Sequence, residues 1–278
     1  MVNVKKELVS FWDSLIANIR RPEMKVLPGS LAFFFFLTMI PLVALIGNFI
    51  SLFDLPYSSI GNVVESYFPK GTTTLLEVIT VKFDFSINFI VFLASAIMLA
   101  SNATHSMILV SNQIYKIKNR RYIFRRGKAL IMMVIVILLL LFTLFIPVFG
   151  NTIFKVIANL NNYYGIRNTI VKVYAALKFP LSLAFIYFSI RLLYIVAPDK
   201  KIKRNNVFYG SVFTTVCWIL VTKVYSIYVE KFTNYTTFYG GLASILILML
   251  WLYLLSYIFV LGMALNASKY EMEEQIKK

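Results

Sequence analysis

The side chains able to do chemistry in this chain are few, and their placement excludes more reactions than it permits. His105 is the only histidine and Cys217 the only cysteine. Neither a His-based nor a Cys-based metal site can be assembled from one residue of each kind, and an internal disulfide is excluded. His105 stands in the polar stretch Ser101-Asn102-Ala103-Thr104-His105-Ser106 inside an otherwise apolar run. There Ser, Thr and Asn read first as groups that hydrogen-bond between neighbouring helices. No Ser-His-Asp or Cys-His arrangement, glycine-rich phosphate loop or glycosidase-like carboxylate pair is visible. The expectation is a protein that is not an enzyme and uses no cofactor or metal.

Charge within the apolar runs has one sign. All 12 Asp and Glu residues fall outside those runs, with Asp54, Asp84, Asp199 and Glu230 at their ends. Carriers coupled to protons or sodium keep a carboxylate at membrane depth, so that class loses weight. Three cations do lie inside: Lys178, Arg191 and Lys223. Each, taken singly, is explained by a long side chain snorkelling to an interface. Together they point to an anionic headgroup or solute, and Arg191, Lys223 and Lys178 are the expected substrate-binding residues.

The elements that must position these residues are six apolar runs: Leu31 to Phe53, Ile87 to Val110, Ala129 to Gly150, Val173 to Ala197, Val207 to Val229 and Gly241 to Ala267. Each is long enough to cross a hydrocarbon core of ~30 Å as a helix. The 28 Lys and Arg residues gather in alternate gaps, 19 in one set of segments against 6 in the other. By the positive-inside rule both termini are cytoplasmic. With 59% hydrophobic and 14% charged residues, the chain reads as an all-α membrane protein with six transmembrane helices, a single polytopic domain over residues 1–278. The first run is too long for a signal-peptide core and lacks a small-residue cleavage site. A net charge of +16 brings nucleic acid to mind. The excess sits in short loops beside the runs, however, where topology and anionic lipid account for it, and no RNA-binding module is present.

Shorter elements flank the runs. Leu8, Phe11, Trp12, Leu15 and Ile19 recur at helical spacing among Lys5, Lys6, Arg20 and Arg21, which predicts an N-terminal amphipathic interfacial helix. Pro22 and Pro28-Gly29 are expected to break it and turn the chain into the membrane. In the first outer gap, Ile60, Val63, Val64, Tyr67 and Phe68, then Leu75, Leu76 and Ile79, mark short amphipathic helices that either cap a cavity or rest on headgroups. The inner gap from Ser111 to Lys128 holds seven cations. It predicts a cytoplasmic extension in which Arg120 and Arg121 meet anionic headgroups. Pro41, Gly47, Pro147 and Pro180 are expected to interrupt their helices, exposing backbone that lines protein or water. Trp251 lies too deep for an interface belt and should pack.

Two stretches go beyond composition. Pro28-Gly29-Ser30-Leu31-Ala32-Phe33-Phe34-Phe35-Phe36-Leu37-Thr38-Met39-Ile40-Pro41 opens the first run. Near the other end stand Arg191-Leu192-Leu193-Tyr194, Pro198, Gly210, Tyr239-Gly240-Gly241-Leu242-Ala243-Ser244, Leu250-Trp251-Leu252-Tyr253 and Gly262-Met263-Ala264-Leu265-Asn266-Ala267. In order and spacing these resemble the YihY/BrkB family of six-helix bacterial inner-membrane proteins. Where that family often ends in a Gly-Ala-Glu-Leu-Asn type pattern, this chain has no acid between Gly262 and Asn266, so no carboxylate role carries over. The family's old label as a transfer-RNA-processing ribonuclease (ribonuclease BN) conflicts with the absence of clustered His and carboxylate ligands. The resemblance implies an envelope role.

Together these readings predict a transporter or flippase-like protein of the bacterial cell membrane for an anionic lipid or amphiphile, with membrane lipids as partners and no nucleic acid. The alternative is a non-transporting envelope scaffold or assembly protein. Substrate, energy coupling, direction and oligomeric state are not encoded in any motif.

Overall fold

Asp13 and residues 15–52, 87–139, 164–231 and 242–276 are described by a computed structural model. Among these residues every regular element is a helix and no strand is present. A helical stretch over residues 15–19 precedes α1 (Glu23–Leu52), α2 (Ile87–Ile114), α3 (residues 122–139), α4 (Tyr164–Val196), α5 (Phe208–Lys231) and α6 (Leu242–Ile276). Each overlaps one apolar run. Several sequence expectations, on Leu8, Phe11, Trp12, the Asp54 to Ser86 gap, Pro147 and Tyr239, lie outside the described residues. Of the predicted interfacial face, Leu15 is buried while Ile19 is exposed.

The helix ends follow local chemistry. Residues 20–22 form a turn, with the Met24 and Lys25 amides donating to the Arg21 and Pro22 carbonyls. Glu23 then places an acid on the positive end of the helix dipole. Pro22 lies in that turn, as expected. Pro28-Gly29 lies inside α1, contrary to the expected interruption. A proline one turn into a helix forfeits a single bond to the carbonyl four residues back, and buried packing of Leu27 and Leu31 around it supports the turn. α1 and α4 likewise run on through Pro41 and Pro180. One missing amide is tolerated where flanking helical bonds persist, so these prolines do not break their helices.

α2 stops differently. The Ile117 amide reaches the Asn112 carbonyl at 2.8 Å and the Lys116 amide the Gln113 carbonyl at 3.2 Å, the bond pair of a Schellman cap. Its left-handed residue is Lys116, at φ 55°, where glycine is the usual choice.

α6 packs against α1, α2 and α5, and α4 packs against α5. Leu31, Met107, Ile108, Tyr194, Phe259 and Met263 fill the centre. A second cluster surrounds Trp251, whose indole donates to the Thr222 hydroxyl at 3.3 Å; it packs, as expected. Small polar residues join the apolar core, and large apolar ones cover much of the perimeter. Ser101, Ser211, Thr214, Ser256, Asn266 and Ser268 are buried, while Met98, Ile131, Leu181, Val216 and Val224 face outward. Small hydroxyl residues between helices and large apolar ones on the perimeter suit a lipid solvent. Phe208–Val229 and Ile245–Glu273 are the two helices among the described residues that are long and apolar enough to cross a membrane.

α6 outruns its apolar part. At its 35 residues it is ~52 Å long by helical rise, against a hydrocarbon core of ~30 Å. Its polar last turns gather three separate connections. Asn18 donates to Ser268 at 2.9 Å, Arg21 and Lys116 reach Glu271 at 3.9 and 2.7 Å, and Lys203 reaches Glu273 at 3.4 Å.

Candidate functional site

Two polar constructions stand out. The first is a neutral node where α4, α5 and α6 meet. The Tyr194 hydroxyl, on a fully buried side chain, donates to the Phe259 carbonyl at 2.8 Å. It therefore accepts from the Thr214 hydroxyl, 2.6 Å away. Its ring stacks on Phe259 at 4.7 Å. The helix backbones touch here: a Cβ added at Gly210 would run into the Gly262 carbonyl oxygen and the Asn266 amide, and one at Gly262 into the Thr214 and Tyr194 hydroxyls. Close approach lets the Asn266 carbonyl oxygen accept from the Gly210 amide at 2.8 Å. That amide is one of the orphan donors of the first turn of α5, so one helix caps another. Tyr194, Gly210, Gly262 and Asn266 all belong to the motifs that carried the family resemblance.

The second construction is charged. α2 and α3 run antiparallel with Thr104 donating to the Ala129 carbonyl at 2.8 Å and Arg126 to the Asn102 carbonyl oxygen at 2.7 Å. His105 meets the Tyr122 ring edge-on at 5.8 Å. The polar stretch 101–106 is thereby level with the first turns of α3, where Arg125, Arg126 and Lys128 sit. Thr104 and Asn102 do bond between helices, as their types implied, whereas Ser101 Oγ is buried without a partner among the described residues. His105 Nε2 and Arg125 Nε are both buried and have no hydrogen-bond partner among the described residues.

Beside this layer an ion pair ties α3 to the end of α4. Lys128 donates to the Ala197 and Pro198 carbonyls at 2.8 and 2.7 Å and to Asp199 at 3.0 Å. It thus caps the negative end of α4 while pairing with the acid just beyond it. Asp199, its side chain only 2% exposed, also accepts from Asn112 at 2.7 Å and from the Arg120 amide at 3.4 Å. The Asp199 amide donates back to Asn112 at 2.8 Å. Burial works to raise the Asp199 carboxyl, but bonds from Lys128 and Asn112 outweigh it and hold the group below its ordinary value. Burial lowers the Lys128 ammonium more than Asp199 restores it. The pair is one whose desolvation consumes much of its attraction.

The residues singled out from sequence are dispersed. Arg191 bonds the Tyr187 hydroxyl at 3.1 Å and the Arg204 carbonyl at 3.4 Å, with its guanidinium over the Tyr187 ring. Tyr187 in turn meets Phe208, the first residue of α5. Lys223 is exposed on α5, ~22 Å further along that helix by its rise. The two are not brought together. Lys178 belongs to α4, and its side chain lies outside the described residues. Arg120 and Arg121 are exposed, the former beside Asp199 through its backbone. Sequence reasoning missed Lys128, Asp199 and Asn112. The available signal was position: Lys128 directly precedes one apolar run and Asp199 closely follows another, on the same side of the charge alternation.

An all-helical bundle with buried hydroxyls and an apolar perimeter defines a helical membrane protein. The profile of the family described as virulence factor BrkB matches residues 15–278, and the chain belongs to that family. It is 28% identical to a Bacillus subtilis protein named as the ribonuclease-like protein YfkH, over 93% of this chain and 94% of that one. It is 26% identical to a UPF0761 membrane protein of Vibrio parahaemolyticus, over 98% and 85%. A UPF0761 membrane protein of Haemophilus influenzae matches end to end at 21%. The location is therefore a membrane. No solved structure matches the chain.

Proposed function

We propose that the protein is a six-span transporter or flippase-like protein for an anionic lipid or amphiphile in a bacterial cell membrane. Its basic end and both termini face the cytoplasm, and it acts without enzymatic chemistry, cofactor or nucleic acid. The observation that carries this reading is the set of guanidinium groups at the basic end. Among the described residues, Arg126 is bonded to an amide and Arg191 to a phenol and a carbonyl, and no ion pair there uses Arg120, Arg121, Arg125, Arg126 or Arg191. Cations with neutral partners keep their attraction for an anion arriving from outside. In this reading Arg120 and Arg121 recruit headgroups, and Arg191, Lys223 and Lys178 meet them along the path. The ribonuclease-like name of the Bacillus relative is not carried over, because a chain with one histidine and no acid inside its runs lacks the ligands such chemistry needs.

The test is transbilayer movement of a labelled anionic phospholipid in proteoliposomes. Movement should exceed that of empty vesicles and fall about tenfold in Arg191→Ala, the loss expected for one charged hydrogen bond. Equal rates in wild-type, Arg191→Ala, Lys223→Ala and empty vesicles would remove the transport reading in favour of the envelope scaffold.

A further inference from the structure

The α2–α3 face holds two buried nitrogen atoms that no described residue satisfies. Arg125 Nε carries a proton and can only donate, and His105 Nε2 donates in the tautomer that leaves its other nitrogen bare. A buried donor without an acceptor is costly, so such groups are normally matched by a partner. The charges acting on the His105 imidazole come from Arg125, Arg126 and Asp199. Of these, Asp199 is already engaged by Lys128 and Asn112, and Arg126 is fixed by Asn102 at 2.7 Å. An oxyanion would supply the missing acceptor.

Its surroundings narrow the class. Tyr122, Ile123 and Phe124, at the start of α3, are 60%, 80% and 67% exposed. Exposed Lys118, Arg120 and Arg121 precede them. An apolar lip beside a cationic rim matches a molecule with an anionic head and an apolar body.

We infer that His105, Arg125 and Arg126 form a binding niche for a phosphate-type oxyanion, carried by a lipid headgroup or free in solution. The inference rests on the anionic-ligand reading above but not on transport. Arg126 is held in place by Asn102, Arg125 grips the oxyanion through Nε and its adjacent Nη, and His105 donates from the facing helix. The guanidinium supplies the planar two-point grip that oxyanions favour.

The experiment measures equilibrium binding to the detergent-solubilised full-length protein with three probes: short-chain phosphatidylglycerol, diacylglycerol of the same chain length, and inorganic phosphate. Arg125→Gln and His105→Phe should each weaken phosphatidylglycerol binding about tenfold, as expected for a charged hydrogen bond. The double variant should lose little more, since both donors share one oxyanion. Lys118→Gln, which removes the same charge from an exposed site, should change binding less than about twofold. Arg125→Lys keeps the charge but deletes the Nε donor, so it separates grip from bulk electrostatics, and melting temperatures report whether each variant folds. Dependence on His105 and Arg125 with phosphatidylglycerol alone supports a lipid ligand; the same dependence with inorganic phosphate supports the niche with a soluble one. Binding unchanged in His105→Phe and Arg125→Gln, or diacylglycerol binding as tightly as phosphatidylglycerol, overturns the niche. Loss of transbilayer movement with this binding intact would sink transport and leave the niche standing.

Discussion

The node around Tyr194 and the charged layer around His105 are both polar, the first fully and the second partly buried, and they are built on different terms. In the node, Tyr194, Thr214 and the Gly210 amide meet partners inside the fold. The donor left over there among the described residues, Asn266 Nδ2, is neutral and packed against Gly210. Two glycines bring the backbones of the node into contact. Its exactness of fit leaves no room for another atom. The layer is only partly closed: Lys128, Asp199 and Asn112 satisfy one another, while His105 Nε2 and Arg125 Nε have no partner among the described residues. Polarity that is used up by the fold holds helices together; polarity left over is available to a ligand.

That contrast breaks most readily at the node. Gly210→Ala should destabilise the protein by about 3 kcal/mol, the upper range for overpacking, because its new methyl group meets a backbone oxygen that cannot rotate away. Thermal unfolding in detergent would check it, and a melting temperature equal to wild type would mean that α5 and α6 are not in contact. The layer should respond more mildly and with pH. Asp199→Asn leaves Lys128 without its counter-charge at a partly exposed site, an expected loss of about 2 kcal/mol. Because the folded carboxyl lies below its unfolded value, its stabilisation is full above the ordinary carboxylate range and is lost as the pH falls through the lower folded value. Wild type should therefore show an acid-induced drop in stability that Asp199→Asn flattens. If the two acid limbs superimpose, the pair does not govern this end. The smallest effect concerns Lys116. Lys116→Ala loses the Glu271 bridge yet keeps the left-handed backbone, whereas Lys116→Gly loses the bridge but relieves the backbone. Glycine should exceed alanine by about 1 kcal/mol in unfolding titrations.

Much of the helical order was legible before any coordinates. Apolar runs marked each helix because membrane solvent demands length and hydrophobicity together. Their ends were less legible: α1 begins at Glu23 rather than Leu31, and α6 continues to Ile276 rather than Ala267, since polar turns carry no hydropathy signal. Pro28 misled because a proline near a helix start resembles one that ends a helix. Tyr194, Gly210, Gly262 and Asn266 were visible as motif residues, and only contact revealed them as one junction. Lys128 and Asp199 were counted as topology charges, a description blind to pairing between segments 71 residues apart. The His105 niche was hidden for the same reason: Arg125 and His105 are distant in sequence, and a leftover donor is defined by its surroundings.

The overhang of α6 has a mechanical consequence. Its last turns hold the turn before α1 through Asn18 and Arg21, the α2–α3 connection through Lys116, and the α4–α5 connection through Lys203. A single shaft bonded to three connections cannot tilt without straining all of them. The last turns of α6 thereby tie three connections to one rod, which is anchored further along by its glycine contact with α5.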